Sequence, residues 1–267
     1  MKIITWNING YRAITGQNPS IRYNKISQKN KLFDFIYKEN PDIICLQETK
    51  ASIEQINEEL RQPENYLAYY HSCSKKKGYS GVVSFTKVKP NKVNFNLGIE
   101  MFDTEGRLVE LHFDDFILLN IYFPKGYTDN ERLDYKLEFY DAIYKHIDKL
   151  VAINKNIIIS GDYNTAHFPI DLARPEENEN TSGFLKVERE KLDELVKKGF
   201  IDCFRLFTKE NGNYTWWSQR GRSRENNIGW RIDYHFCTIS LKNRLIYCNL
   251  MPEIPGSDHC PVVLEFK

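Results

Sequence analysis

The sequence has no long hydrophobic run, no paired-cysteine motif and no excess of charge of one sign. None of its apolar stretches reaches the roughly eighteen residues of a membrane-spanning helix, so we expect no membrane span. Its six cysteines form no Cys-x-x-Cys pair and no Cys/His spacing that suits zinc, which argues against a structural zinc site. With 37 basic and 36 acidic residues, the charge balance neither supports nor excludes a nucleic-acid partner, because charges can be segregated.

The amino-terminal residues and the cysteines both indicate a reduced, cytoplasmic protein. Residues 1–5 enter a strand-like pattern at once and lack the apolar region and small-residue cleavage site of a signal peptide. Cys45, Cys237 and Cys260 lie in strand-like runs, where a thiol behaves as a small hydrophobic group. Free thiols of this kind are usual in the cytoplasm, where disulfides are rare.

Strand and helix patterns follow one another along the chain. Runs rich in Ile, Val, Leu, Phe and Tyr predict strands at 2–6, 43–47, 82–86, 108–113, 116–122, 157–161, 232–237 and 262–266. Amphipathic spacing predicts helices at 29–39, 131–152 and 187–198. Asp114-Asp115 reads as a hairpin turn, 14–28 as a surface insertion and 171–183 as a long loop. We therefore expect an α/β sandwich, in which two mixed sheets pack face to face with helices outside.

Polar residues stand where the apolar runs begin or end. They are Asn7, Asn9, Glu48, Tyr122, Asp162, Asn164, Asp233, Asp258 and His259. If the strands lie side by side, these side chains gather at one rim of the sandwich. A cluster of carboxylates, carboxamides and a histidine suits a metal ion and a phosphate group.

The carboxylates and carboxamides of this set predict a magnesium site. Glu48 is a ligand suited to a hard cation, and magnesium takes one or two carboxylates, several waters and substrate phosphate oxygens. Asn7, Asn9 and Asp258 could orient those waters or join the ligand shell.

The remaining residues predict proton transfer beside that metal. Asp162 is placed to accept a proton from a water molecule, and Asn164 to donate a hydrogen bond to the water or to a phosphate oxygen. If Asp233 holds one ring nitrogen of His259, the imidazole is oriented and partly charged. A carboxylate–histidine pair with a metal is a common means of neutralising phosphate charge during hydrolysis.

Each of these residues taken alone also has a simpler structural interpretation. The segment 162–164 could be an Asx-type turn that closes a strand, and Glu48 could begin a helix. Residues 258–259 could be a capping pair, and Tyr122 could be plain core packing. Each of these interpretations explains one residue or segment separately, whereas a single functional site explains the whole set of residues.

Two basic segments could position a phosphate backbone. One is the lysine run 75–77, followed by the glycine-rich segment 78–81; a solvated loop is the alternative. The other is a set of arginines interleaved with tryptophans: Arg220, Arg222, Arg224 and Arg231 with Trp216, Trp217 and Trp230. Basic groups on glycine-rich or aromatic loops can hold phosphates in place.

The ordered motifs resemble those of exonuclease III-type apurinic/apyrimidinic (AP) endonucleases, within the DNase I-like endonuclease/exonuclease/phosphatase superfamily. The motifs are Trp6–Arg12, Leu46–Lys50, Gly78–Val82, Gly161–Asn164, Gly229–Tyr234 and Gly256–Pro261. The resemblance covers essentially the whole chain and implies one domain, 1–267, with the four-layer α/β sandwich of that superfamily. It also implies magnesium-dependent cleavage 5′ to an abasic site in duplex DNA, together with 3′-phosphodiesterase and 3′→5′ exonuclease activity.

The resemblance also implies a cofactor, partners and site residues. Manganese would substitute for magnesium, the substrate would be double-stranded DNA with abasic sites or blocked 3′ ends, and the enzyme would be a nucleoid-associated monomer. The residues implied in catalysis are Asn7, Tyr122, Asp162, Asn164, Asp233 and His259. Those implied at the metal are Asn7, Asn9, Glu48, Asp162, Asn164, Asp258 and His259.

The substrate contacts that we expect are Arg12, Lys50, Tyr79, Tyr127, Trp216, Trp230 and Ile232. Of these, Trp216, Trp230 and Ile232 are candidates for the walls of a pocket that takes a sugar without a base, because they are bulky, apolar and close to Asp233 in sequence. Placement of both tryptophans in the core is the alternative.

Two other functions remain open from the sequence. One is a DNase I-like phosphodiesterase that acts on RNA or on phospholipid headgroups, against which the Gly-Trp-Arg-Ile-Asp motif weighs. The other is a non-catalytic DNA-binding relative, which should lack at least one of the groups needed for catalysis. Those groups are all present: Glu48, Asp162, Asn164, Asp233 and His259.

Overall fold

Two six-stranded mixed sheets form the centre of the structure, a computed structural model that describes residues 1–18, 29–126 and 130–267. The strands are β1 (Lys2–Asn7), β2 (Ile43–Gln47), β3 (Leu67–His71), β4 (Val82–Thr86), β5 (Lys92–Asn94), β6 (Leu108–His112), β7 (Ile117–Tyr122), β8 (Ile157–Asp162), β9 (Phe200–Asp202), β10 (Trp216–Trp217), β11 (Gly229–Trp230), β12 (Asp233–Thr238), β13 (Leu245–Leu250) and β14 (Val262–Phe266). One sheet has the order β13-β14-β1-β2-β4-β3 and the other β5-β6-β7-β8-β12-β9, while β10 and β11 form a separate two-stranded ribbon.

Helices cover the outer faces of both sheets. The α-helices are α1 (Tyr11–Ile14), α2 (Lys31–Glu39), α3 (Glu100–Asp103), α4 (Asn130–Ile153), α5 (Pro175–Asn178), α6 (Lys186–Lys197) and α7 (Cys203–Phe207). Short 3-10 helices lie at Ile53–Gln55, Glu58–Leu60, Pro169–Asp171 and Ile239–Arg244. Among the described residues, no helix is both long enough and apolar enough to cross a membrane.

The central strands are apolar on both faces because both faces are buried. Side chains alternate across a strand, so Ile3 packs between the two sheets while Ile4 packs beneath α2. In the second sheet Leu118 joins the layer between the sheets, and Leu119 packs beneath α4 and α6. The result is a helix–sheet–sheet–helix arrangement, so the predicted four-layer α/β sandwich is confirmed.

The predicted elements are confirmed with ends that shift by no more than two residues. The hairpin turn at Asp114-Asp115 also forms, since the Phe113 amide donates to the Phe116 carbonyl at 2.9 Å. The segment 171–183 is less irregular than the predicted long loop, because it contains the short helix α5 and follows a 3-10 turn. Of the predicted insertion 14–28, only residues 14–18 lie within the described part of the chain.

Candidate active site

Strand pairing brings the predicted polar residues to one rim of the sandwich. β1 runs parallel to β2, and β7 runs parallel to β8, so the carboxyl ends of each pair meet at the same edge. Asp162 at the end of β8 lies between Tyr122 of β7 and Asp233 of β12, its register partners on either side. The rim therefore collects groups that are far apart in sequence.

Asn7 joins the two sheets at this rim. Its buried amide donates to Glu48 Oε1 at 3.0 Å and to Asp162 Oδ2 at 2.8 Å. One carboxamide thus fixes the separation between a carboxylate of the first sheet and a carboxylate of the second.

Glu48 is held as an anion. It follows β2 in the left-handed backbone region, with φ of 54°, and its carboxylate accepts from Tyr122 Oη at 2.8 Å and pairs with Lys50 Nζ at 2.6 Å. Burial by itself would raise the pKa of Glu48, but Lys50 and the Asn7 amide outweigh burial and lower it to about 2. Burial and the Glu48 charge raise the pKa of Tyr122 well above its usual value, so Tyr122 remains a hydrogen-bond donor.

The environment of Asp162 raises its pKa, whereas the environment of Glu48 lowers the pKa of that carboxylate. Burial first, and then the nearby Asp233 carboxylate, raise its pKa to about 7, although His259 and the hydrogen bonds from Asn164 and Asn7 act against that rise. The Asn164 backbone amide donates to Asp162 Oδ1 at 2.7 Å, and Asn164 itself has a φ of 49°. A carboxylate whose pKa lies near neutrality is suited to accept a proton from water.

His259 forms a buried ion pair with Asp233. Its Nδ1 lies 2.8 Å from Asp233 Oδ2, as the sequence predicts. Burial would lower the pKa of His259, but the Asp233 carboxylate raises it to about 10, so the ring is an imidazolium at neutral pH. Asp233 Oδ1 is buried and has no hydrogen-bond partner among the described residues.

A second polar group adjoins the first and contains the remaining predicted metal-site residues. Asn9 donates to Asp258 Oδ1 at 2.8 Å and accepts from Lys50 Nζ at 2.5 Å. Asp258 Oδ2 accepts from the Trp216 indole at 3.2 Å. Lys50 therefore links Glu48 to this outer group.

The centre of the rim fits a divalent metal ion. Ligand atoms of Glu48, Asp162 and His259 lie within 4.8 Å of one another, in the one such group found among the described residues. Two carboxylates and no thiolate are the donor set of a hard cation. His259 Nδ1 is engaged with Asp233, and oxygen donors suit a hard cation better than an imidazole does, so the carboxylates of Glu48 and Asp162 are the donors that fit the ion.

A cavity of about 1170 Å³ opens onto this rim and is lined there by Glu48, Asn164, Asp258 and His259, while Asp162 is fully buried and is not among the lining residues. Its apolar wall consists of Trp216, Trp230 and Ile232, which pack with the buried Phe184 and Leu172. Both tryptophans are half-buried and line the cavity, whereas the neighbouring Trp217 is buried in the core. The alternative that both lie in the core therefore does not hold.

Basic side chains also line the cavity. They are Lys75, Lys76, Arg107, Lys125 and Arg132, with Tyr79 among them, and Arg107 pairs with Glu105, another lining residue, at 2.6 Å. The lysine run is exposed as a solvated loop would be, yet part of it faces the cavity. Arg107 donates to Tyr79 Oη at 2.9 Å and lies over the Tyr122 ring, 4.8 Å from its centroid.

Some predicted contacts lie elsewhere or outside the described residues. Arg12 is half-buried on α1 and is not among the residues that line the cavity, and Tyr127 is outside the described residues. The prediction that Arg231 positions a phosphate backbone is wrong. Unlike the other arginines of its segment, it is fully buried, and it pairs with Asp171 at 2.8 Å and Asp202 at 2.6 Å.

Sequence reasoning missed Arg107 and assigned no contact to Lys125. Arg107 immediately precedes β6, and a single charge before a strand carries no signal in the sequence. Its contacts with Tyr79 and Tyr122 become visible only when the fold brings these three residues together. Lys125 lies in the loop after β7, where its Nζ is 5.7 Å from the centroid of a Trp216 ring.

The same arrangement of sheets and motifs occurs in known proteins. The model of the endonuclease/exonuclease/phosphatase family matches residues 4–259. The chain belongs to this family. The exodeoxyribonuclease of Bacillus subtilis (strain 168) is 38% identical over 265 residues, covering 99% of this chain and 98% of that protein. The DNA-(apurinic or apyrimidinic site) endonuclease of Dictyostelium discoideum is 35% identical over 269 residues, covering 98% of this chain and 69% of that protein.

Solved structures of the endonuclease/exonuclease/phosphatase family agree with the observed fold. The AP endonuclease from Archaeoglobus fulgidus superposes with a TM-score of 0.86 at 27% identity, covering 100% of this chain and 99% of that chain. The resemblance of the sequence motifs to exonuclease III-type AP endonucleases is thereby confirmed. In the present chain, the motifs supply the rim residues Asn7, Glu48, Asp162, Asp233 and His259.

Proposed function

We propose that this protein is a DNA repair nuclease that hydrolyses the phosphodiester bond 5′ to an abasic site in duplex DNA. One observation carries the proposal: Glu48, Asp162 and His259 meet at the rim, and Glu48 and His259 line the same cavity as Trp216 and Trp230. The relatives named as exodeoxyribonuclease and as AP endonuclease support the same activity. We extend the proposal to removal of 3′-blocking groups and to 3′→5′ exonuclease activity, because both also hydrolyse a phosphate ester at the end of a DNA strand.

Asp162 is the group that takes the proton from the attacking water. Its raised pKa gives it useful basicity near pH 7, and the Asn164 and Asn7 amides hold its oxygens in fixed directions. Asn164 donates to the Phe123 carbonyl at 2.9 Å, which fixes the carboxamide beside the attacking water and the phosphate.

His259 stabilises the charge that develops on the phosphate. The Asp233 carboxylate keeps the ring protonated and orients it, so that a positive donor is present before the substrate arrives. The Tyr122 hydroxyl donates to Glu48, and the Asn7 amide donates to Glu48 and Asp162, so these neutral donors hold both carboxylates in place and would exchange these hydrogen bonds in order to contact the phosphate.

Glu48 and Asp162 would hold a magnesium ion, with Asn7, Asn9 and Asp258 orienting its waters. When bound, the ion supplies positive charge next to the phosphate oxygens, and manganese prefers similar oxygen ligands. Lys50 already neutralises Glu48, so the cation would share that carboxylate with Lys50.

The cavity wall accounts for the choice of substrate. A sugar without a base can turn out of the duplex against Trp216, Trp230 and Ile232, and these bulky side chains would compete with an attached base for space on that wall. Lys75, Lys76 and Tyr79, which also line the cavity, would contact the backbone of the strand. Since one chain supplies every group named here, we propose that the enzyme acts as a monomer. We also propose that it acts in the cytoplasm, on the DNA of the nucleoid.

The proposal is tested by a substrate panel with one preparation and magnesium. We expect incision of a duplex with one abasic site at a rate at least about 10²-fold above that of RNA or of a phospholipid headgroup. A 3′-recessed intact duplex and a 3′-phosphorylated duplex report the accompanying activities. Faster hydrolysis of RNA or of a headgroup would replace the proposed function, and binding of the abasic duplex without any cleavage would make the protein a non-catalytic relative.

A further inference from the structure

A buried ion pair lies behind the site, between α4 and α6. Lys136 Nζ is 2.6 Å from Glu188 Oε1, and both side chains are fully buried. Buried ion pairs contribute little more to stability than apolar residues of the same volume, because desolvation opposes the attraction. Stability alone therefore does not account for this pair.

The pair is hydrogen-bonded to two loops of the active site. Lys136 Nζ donates to the backbone carbonyl of Asn164 at 2.7 Å, in the turn 162–166 that carries the catalytic groups. Glu188 accepts from the Ser182 hydroxyl at 3.0 Å and from the backbone amides of Gly183 at 2.5 Å and Leu185 at 3.1 Å. One end of the pair holds the turn 162–166, and the other end holds the loop 182–185.

The loop 182–185 fills the space between the turn 162–166 and the pocket wall. A Cβ built on Gly183 would lie 3.2 Å from Trp230 Cζ3 and 3.4 Å from the Asn164 carbonyl oxygen. The Ala166 amide donates to the Gly183 carbonyl at 2.8 Å, which ties the loop back to the turn. The position of Gly183 therefore determines how Trp230 stands relative to Asn164.

A third loop packs on the same pair. A Cβ on Gly126, which follows Lys125 on the cavity wall, would lie 2.3 Å from Ser182 Oγ and 3.1 Å from Glu188 Oε1. The loop after β7 can therefore approach the pair closely only because residue 126 has no side chain.

We propose that Lys136 and Glu188 are positioning residues that couple the turn 162–166 to the Trp230 wall, and that they thereby set the discrimination between abasic and intact DNA. The inference rests on the proposed function. Neither side chain reaches the cavity, so both act through the loops that they hold.

The test compares variants of the pair with a matched control. Lys136→Met and Glu188→Gln each remove one charge at similar volume, and the double variant leaves no uncompensated buried charge, so it should fold even if the single variants do not. The control is Lys191→Met, because Lys191 joins the same two helices by pairing with Asp141 and does not contact these loops.

Two readouts are measured for each folded variant. The first is kcat and KM on an abasic duplex and on an intact recessed duplex. The second is amide hydrogen exchange at residues 164–166 and 182–185. We expect the abasic-to-intact ratio of kcat/KM to fall at least about tenfold in the pair variants, since misplacement by ~1 Å costs on the order of 10²-fold. We also expect both loops to exchange faster in Lys136→Met, although Lys136 donates to only one of them.

The control should lose little thermal stability, because its ion pair is partly exposed, and it should keep the wild-type ratio and the wild-type exchange in both loops. A double variant whose ratio stays within twofold of wild type would overturn the inference, as would faster exchange confined to 164–166 in Lys136→Met. Failure of the wild-type protein to cut the abasic duplex would instead refute the proposed function. The exchange experiment would then still decide whether the two loops are coupled.

Discussion

At the scale of single residues, the site depends on two neighbouring groups whose pKa values are shifted upward for different reasons. Asp162 gains basicity from burial and from the charge of Asp233. His259 remains protonated because Asp233 pairs with it, despite burial. In the proposed mechanism, Asp162 acts without its proton and His259 acts with its proton.

These protonation states predict a bell-shaped dependence of kcat/KM on pH. Activity should rise as Asp162 loses its proton and fall as His259 loses its proton near pH 10, and because the cation needed for incision favours the ionised carboxylate, the acidic limb should lie below pH 7. The measurement is initial-rate incision of an abasic duplex across this range at fixed ionic strength.

The Asp162→Asn variant provides the control for the acidic limb. Its rate should fall by at least about 10²-fold and the acidic limb should disappear, while Asp233→Asn, which changes only the group that orients the ring, should be milder. An acidic limb that persists in Asp162→Asn would assign proton transfer to a different group.

The metal is tested at Glu48. Glu48→Gln should retain DNA binding but need far more magnesium for incision, because a neutral amide is a poorer ligand for a hard cation. The magnesium concentration that gives half-maximal rate is compared with that of the control variant Glu64→Gln, which makes the same exchange at an exposed position outside the cavity lining. Equal magnesium requirements in Glu48→Gln and wild type would remove Glu48 from the metal site.

At the scale of elements, the ribbon of β10 and β11 carries the pocket wall. Trp216 pairs with Trp230 across the ribbon, and an isolated bridge joins Trp216 to His259. Behind the ribbon, the buried Arg231 pairs with Asp171, whose carbonyl also accepts from the Arg231 amide at 2.6 Å. The wall is thus fixed to the catalytic histidine on one side and to the core on the other.

Replacing Trp230 with a smaller residue should reduce the preference of the enzyme for abasic sites. In Trp230→Ala, abasic cleavage should fall while nucleotides that carry a base are cut relatively better, because the pocket becomes large enough for them. Both rates are measured beside a thermal melt. Trp217→Ala is the matched control, since Trp217 lies in the same ribbon but is buried in the core. Proportional loss of stability and of both activities in Trp230→Ala, as in the control, would make Trp230 a core residue.

The sequence predicts the amphipathic helices and the strands that are buried on both faces, but it misses strands that are short or partly exposed. β8 is apolar along most of its length, whereas β3 and β13 are partly exposed, so their residue pattern resembles that of loops. The rim residues could be found because polar groups directly after buried strands are unusual. The Lys136–Glu188 pair could not, because its members lie 52 residues apart on ordinary amphipathic helices and only the packing of those helices brings them together.

At the scale of the whole molecule, a buried histidine between the sheets makes stability depend on pH. His235 lies next to Ser160 Oγ at 2.7 Å and the Val262 carbonyl at 3.0 Å, and burial lowers its pKa to about 4. Below about pH 6.5 the unfolded chain binds a proton at this residue that the folded chain does not, so its contribution to stability is lost as pH falls towards 4. Asp162, whose folded pKa is raised, contributes in the opposite direction over part of this range.

Because the contributions of His235 and Asp162 oppose each other, the contribution of His235 is isolated by comparing wild type with the variant His235→Gln. The stability advantage of wild type over His235→Gln should shrink by about 3 kcal/mol between pH 7 and pH 4, on the scale of about 1.36 kcal/mol for each pKa unit. Urea unfolding at several pH values measures it. A difference that does not change with pH would mean that His235 titrates normally in the folded protein.

The central claim is hydrolysis on the 5′ side of an abasic site, and analysis of the ends of the cleaved strand tests it most directly. A duplex with one abasic site, labelled on either side, is incubated with magnesium and with Asp162→Asn as the inactive control. The account predicts an upstream fragment that ends in a 3′-hydroxyl and a downstream fragment that begins with a 5′-deoxyribose phosphate. An upstream fragment that ends in a sugar remnant, which marks cleavage on the 3′ side, would contradict it.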